Sequence, residues 1–230
     1  MATTATAATA TVVGHGHPPT TTGLDHRKIA IWAFIGSECM LFTSLISTYL
    51  VYKGRSVTGP FPHEVCNPPQ CATVMKPILN IPVTSVSTFV LLMSSLAMVL
   101  ALAAVENKDK PGWAGTGAWG RALASSKLWL LMTAILGATF LGFQAYEFTS
   151  FVHEGLTIRQ NLFGSSFFTL TGFHGAHVTV GVLWLLTLLA IDMRRGLGPK
   201  DALIVDISAL YWHFVDVVWI AIFTLVYLIR

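Results

Sequence analysis

The sequence predicts an all-α membrane protein, a bundle of five transmembrane helices, and two observations predict it. Hydrophobic residues make up 53% of the 230 and charged residues only 11%, where a soluble domain carries about 25% charged residues. With a mean hydropathy of +0.65, lipid must be the solvent for most of the chain. The apolar residues also gather into five continuous runs, each long enough to cross a hydrocarbon core of about 30 Å at about 1.5 Å per residue. A transmembrane barrel would instead show alternating segments of about ten residues.

Residues 1–26, MATTATAATATVVGHGHPPTTTGLDH, precede the first run. They are Ala/Thr-rich with a Gly/Pro break and lack a charged segment followed by an apolar core, so they read as a flexible cytoplasmic tail rather than a cleaved signal peptide. The membrane domain then occupies 27–230, with spans near 29–52, 81–105, 128–151, 163–191 and 203–229. Between the spans, KGRSVTGPFPHEVCNPPQCATVMKPILN, ENKDKPGWAGTGAWGRALASSK and RRGLGPKDA read as loops because Pro, Gly and charge punctuate them. If every span crosses once, an N-terminus inside gathers Arg27, Lys28, Lys108, Lys110, Arg121, Lys127, Arg194, Arg195 and Lys200 on one side. Lys53, Arg55, Lys76, Arg159 and Arg230 fall on the other. The excess of Lys and Arg on the first side predicts a cytoplasmic N-terminus and an extracytoplasmic C-terminus.

That orientation puts Cys66 and Cys71, in CNPPQC, on the oxidising side, where a small disulfide ring or two free thiols are the open readings. Cys39 sits within the first span as a small apolar filler. No cysteine falls in a CxxC or Cys/His pattern of zinc or iron–sulfur ligation, so no metal site is expected in this chain. The net charge of +3, with no basic run, excludes a nucleic-acid binder. Nucleotide loops, nucleophile elbows and zinc-protease helices are missing as well.

Ionisable residues inside a membrane are costly and must be paired, neutral or solvated, which makes each a candidate. Glu38 lies in the first span, Glu147 toward the outer end of the third, His174 and His177 in the fourth, and Asp206, His213 and Asp216 in the fifth. Depth counting puts Glu38, His174/His177 and His213/Asp216 in the middle third of the bilayer, where three packed helices would bring them together. His174 and His177, three apart, share one helix face among glycines. A shared metal or haem is geometrically allowed, but hydrogen bonding between close-packed helices is the favoured reading. His213 and Asp216 are likewise three apart, making His213 the expected partner of Asp216. An apolar helix disfavours an ionised Glu38, which suits either a buried hydrogen bond or proton exchange.

In order, GSECMLF, LGFQAYEF, GSSFFTLTGFHGAHVTVG and YWHFVDVVW resemble the signature segments of subunit III of the haem-copper terminal oxidases, over roughly Arg27 to Arg230. The resemblance implies an accessory subunit without redox cofactors. It would dock mainly on catalytic subunit I, which carries haem and copper, with subunit II nearby, and it would bind phospholipid and support proton uptake. Glu38, Glu147, His174, His177, His213 and Asp216 would be its buried polar, proton-uptake or lipid-cleft residues. The longer form of the family has seven helices, so the missing pair is expected to be absent or supplied by subunit I. A cytochrome c oxidase in a bacterial cell membrane is the leading reading. A quinol oxidase or a nitric oxide reductase accessory subunit is the near alternative, and a stand-alone proton or ion conductor the distant one.

Overall fold

The computed structural model describes residues 25–229 apart from 66, 70–73, 75, 111, 113–114 and 116. Five helices are long and apolar enough to cross a membrane. They are α1 (His26–Tyr52), α2 (Ile81–Glu106), α4 (Ser126–His153), α5 (Leu162–Arg195) and α6 (Ala202–Phe223), with a short α3 (Ala118–Leu123) between α2 and α4. The chain is therefore an integral membrane protein with the expected all-α architecture, the five expected spans differing only at their ends. Helices are the natural solution here, because each satisfies its own backbone polar groups without water.

The ends differ for local chemical reasons. The α1 helix begins at His26, inside the expected tail, because the Asp25 carboxylate accepts the Arg27 N–H at 2.8 Å. Asn80, Ser125 and Asn161 cap α2, α4 and α5 in the same way. The α5 helix continues past Ile191 to Arg195, where Gly196, at φ 74°, turns the chain. Buried Asp192 closes that turn, accepting the Ser126 hydroxyl at 2.6 Å and the Leu197 N–H at 2.7 Å. At the far end of α6, a π-helical turn (Thr224–Leu228) replaces the expected regular helix, its Ile229 N–H bonding five residues back to the Thr224 carbonyl. The loop expected between the second and third spans contains α3, whose AWGRAL follows Gly117 and is mostly helix-forming.

Cross-links sort into two ends. Lys28 pairs with Asp206 at 2.6 Å, and Lys108 donates to the Leu197 carbonyl. At the opposite end Lys53 donates to the Ile229 carbonyl, and Asn161 to the carbonyls of Thr58 and Pro60. Successive spans thus run in alternate directions, each crossing once. The α6 helix lies against α1, α2 and α5, while α2 packs along α4, and α4 along α5.

Trp212 of α6 is the central packing element. A Cβ added at Gly137 of α4 would lie 2.6 Å from its ring, and one at Gly181 of α5 2.8 Å. The ring fits because both neighbours lack side chains, the small-residue route to close helix packing in lipid. By contrast α1 is peripheral: 11% of its most apolar window is buried, against 33% to 50% in the other spans.

Candidate functional site

The candidate ionisable residues do not converge on one site: most fall into three separate clusters, with His174 and Asp206 apart from them. The first joins α1 to α5. His177 Nδ1 lies 2.8 Å from the Phe173 carbonyl, an acceptor only, so Nδ1 carries a proton. Nε2 then faces Glu38 Oε2 at 3.0 Å. Whether the shared proton sits on nitrogen or oxygen, the pair has no net charge, which suits its place in the bilayer. The two side chains remain 16% and 17% exposed, at the seam between α1 and α5. Phe42 stands over the imidazole at 5.0 Å, and Tyr211 of α6 donates to the His177 carbonyl at 3.1 Å.

His174 belongs to a different environment. It is fully buried, stacked on Trp219 at 4.8 Å with Phe140 edge-on at 5.8 Å, and neither ring nitrogen meets a hydrogen-bond partner among the described residues. Hydrogen bonding between helices, expected for both histidines, is found only at His177. Positions three apart on an α-helix are offset by about 60° around its axis, and that offset decides this: His177 meets α1, and His174 meets the aromatic interior.

The second cluster joins α6 to α2. His213 Nδ1 lies 2.7 Å from the Ser95 hydroxyl rather than against Asp216, its expected partner. The buried Asp216 carboxyl lies beside Ser95 without hydrogen-bond geometry to any described residue. Ser95 takes the place of Asp216 because α2 presents a row of hydroxyls to α6. Trp212 donates to Ser94 and Trp219 to Thr88, each at 3.0 Å. That row is a feature the sequence reading passed over; its signal is the run of Ser and Thr in IPVTSVSTFVLLMSSLA.

The third cluster lies at the end where α2 begins. Glu147 of α4 is buried and accepts the Thr84 hydroxyl at 2.7 Å, with the Tyr227 hydroxyl beside it in the π-helical turn. Asp206, at the opposite end, is the partner of Lys28. Gln144 also escaped the sequence reading: its amide donates to the Thr171 carbonyl at 2.7 Å and lies directly over Gly175. Cys66 and Cys71 lie outside the described residues. Among the described residues no three His, Cys, Asp or Glu side chains converge as a metal centre requires.

Chemically, these clusters can hold helices in register, with the Glu38–His177 contact linking α1 to α5. The family model described as cytochrome c oxidase subunit III matches residues 4–229. Cytochrome c oxidase subunit 3 of Bacillus sp. (strain PS3) is 39% identical over 203 residues, covering 88% of this chain and 86% of that one. Quinol oxidase subunit 3 of Bacillus subtilis is 36% identical over 200 residues, 87% of this chain and 85% of its own. Cytochrome bo(3) ubiquinol oxidase subunit 3 of Pseudomonas aeruginosa is 36% identical over 216 residues, 94% and 91%. The chain therefore belongs to the subunit III family of the haem-copper terminal oxidases, membrane subunits of multi-subunit oxygen-reducing complexes.

Proposed function

We propose that this chain is the non-redox accessory subunit of a proton-pumping cytochrome c oxidase of a bacterial cell membrane. It docks mainly on catalytic subunit I, with subunit II close by. Haem and copper reside in those partners. This chain stabilises subunit I, holds phospholipid and supports proton uptake. The N-terminus faces the cytoplasm, as the distribution of Lys and Arg favours.

The observation that carries the reading is the Glu38–His177 pair. It is a proton-sharing couple, about one-sixth exposed, at the α1–α5 edge of a bundle in which the neighbouring His174 is fully buried against Trp219. A proton held there is open to exchange with a neighbouring subunit. Glu147 and the α2 hydroxyl row serve to hold helices together. Because relatives include subunits of quinol oxidases, a quinol-fed complex is the second reading. The accompanying subunit II decides between them, since a dinuclear copper motif there favours cytochrome c.

Purification from native membranes in mild detergent is expected to bring down a haem-bearing, oxygen-reducing partner. Recovery of the chain alone would overturn the assignment. In that complex Glu38→Gln is expected to preserve assembly and haem reduction while slowing proton uptake during sustained turnover. A stand-alone conductor would instead pass ions when the purified chain is placed by itself in liposomes.

A further inference from the structure

We propose that the end of the bundle where α2 begins binds one buried water molecule, held by the hydroxyls of Tyr49 and Tyr227 and the carboxyl of Glu147, and that this water ties α1 to the other helices. The site does not depend on which oxidase the chain serves. Four segments bring polar side chains to one level. Tyr49 lies three residues before the end of α1, Thr84 three after the start of α2, Glu147 six before the end of α4, and Tyr227 one before the end of the π-helical turn. At about 1.5 Å per residue, all four stand within about 9 Å of their helix ends.

The lateral fit is equally specific. Lys53 follows Tyr49 by four residues, on the same side of α1, and its ammonium donates to the Ile229 carbonyl at 2.6 Å, two residues beyond Tyr227. Tyr49 therefore faces the π-helical turn. Behind the two phenols, Phe163 and Phe167 of α5 stack at 5.5 Å, Phe163 against Tyr49 and Phe167 against Tyr227, each at 6.3 Å. Tyr49 lies within electrostatic reach of the Tyr227 hydroxyl, which stands beside the Glu147 carboxyl that Thr84 holds at 2.7 Å.

Both phenols are 1% exposed, and neither hydroxyl has a hydrogen-bond partner among the described residues. Each carries one O–H that must donate, and a buried donor left unpaired is the costly case. Water accepts two hydrogen bonds and donates two. One molecule can take both phenol protons and give one of its own to Glu147, the three partners usual for a buried water. A cation here would leave both O–H groups without an acceptor, and an anion would meet the Glu147 carboxyl. Glu147 also lines a cavity of about 330 Å³ between α2 and α4, which gives water a way in. The π-helical turn, closed by the Ile229 N–H on the Thr224 carbonyl, sets the rotation of Tyr227, and such turns are frequent at functional sites.

The test is X-ray hydroxyl-radical footprinting of the chain purified with its native partner subunits in mild detergent, read by mass spectrometry. Ionising X-rays convert a bound water into a hydroxyl radical that oxidises the side chains touching it, however deeply they are buried. Tyr49 and Tyr227 are expected to be oxidised faster than Tyr211, which is 3% exposed but donates to the His177 carbonyl. In Tyr227→Phe the fast oxidation of Tyr49 should be lost, because the two share one molecule. Thermal unfolding of the same preparations is the second measurement. Tyr49→Phe and Tyr227→Phe are each expected to lower the folded-to-unfolded ratio about fivefold, the worth of one hydrogen bond, and the double variant by less than the product of the two. Oxidation of Tyr49 and Tyr227 no faster than that of Tyr211 would overturn the site. So would Phe variants as stable as the wild type, the result for hydroxyls with no ligand, or oxidation and stability that follow sodium concentration, the result for a cation.

Discussion

His174 and His177 stand three residues apart on one helix, yet only His177 uses its nitrogens for bonding. His174 acts as a flat ring between Trp219 and Phe140. Replacing it with Phe is expected to change stability by less than about 1.5 kcal/mol, whereas His174→Ala should cost about 3 kcal/mol through the cavity left behind. At His177 both Phe and Ala delete the link to Glu38, so there Phe no longer spares stability. A double-mutant cycle between Glu38 and His177 should show a coupling of about 0.6 to 1.7 kcal/mol, the range of interhelical hydrogen bonds in membranes. Thermal unfolding in detergent reads both. Asp216→Asn should leave the melting temperature unchanged or raise it, since among the described residues that carboxyl makes no hydrogen bond that an amide would lose. The types and depths of these residues were legible in the sequence. Their partners were not, because a partner is set by the rotation of one helix against another. Ser95 displaced Asp216 at His213 for that reason, and Asp216 lies within a few ångströms of the same hydroxyl.

At the level of elements, helix existence was written in the apolar runs, and helix ends in short polar signals that continuous hydropathy hides. Asp25, Ser125 and Asn161 each stand one residue before a helix and account for the shifted starts of α1, α4 and α5, while Asn80 caps α2 at its expected start. Asp192 lies one residue past the expected end of the fourth span, yet it is buried as the clasp of α5 and α4. The packing of α4, α5 and α6 was out of reach, since Gly137 and Gly181 lie in different spans and matter only through Trp212. Gly181→Ala puts a methyl 2.8 Å from that ring and is expected to cost about 1–3 kcal/mol by overpacking. Gly172→Ala, with open space around its Cβ, should be neutral in the same measurement.

Across the whole molecule, packing is uneven. The α2, α4, α5 and α6 helices share the aromatic and hydroxyl core, and α1 lies against it through a narrow contact. Hydrogen exchange in detergent is therefore expected to be fastest in α1 among the five spans. Glu38→Ala should accelerate it there while leaving α2 and α4 unchanged; uniform acceleration would contradict this division. Membership of an oxidase family was legible from motif order alone. The division between a rigid four-helix body and an outlying helix appears only when burial is seen span by span.

The α1 helix is held by polar contacts at three depths: Lys28–Asp206 at one end, Glu38–His177 in the middle and Lys53 to the Ile229 carbonyl at the other. Sliding along its own axis would break all three at once. Swinging outward from either end breaks them one at a time. The three contacts therefore fix the height of α1, while Phe42 and Tyr49, buried in the core, hold it against its neighbours.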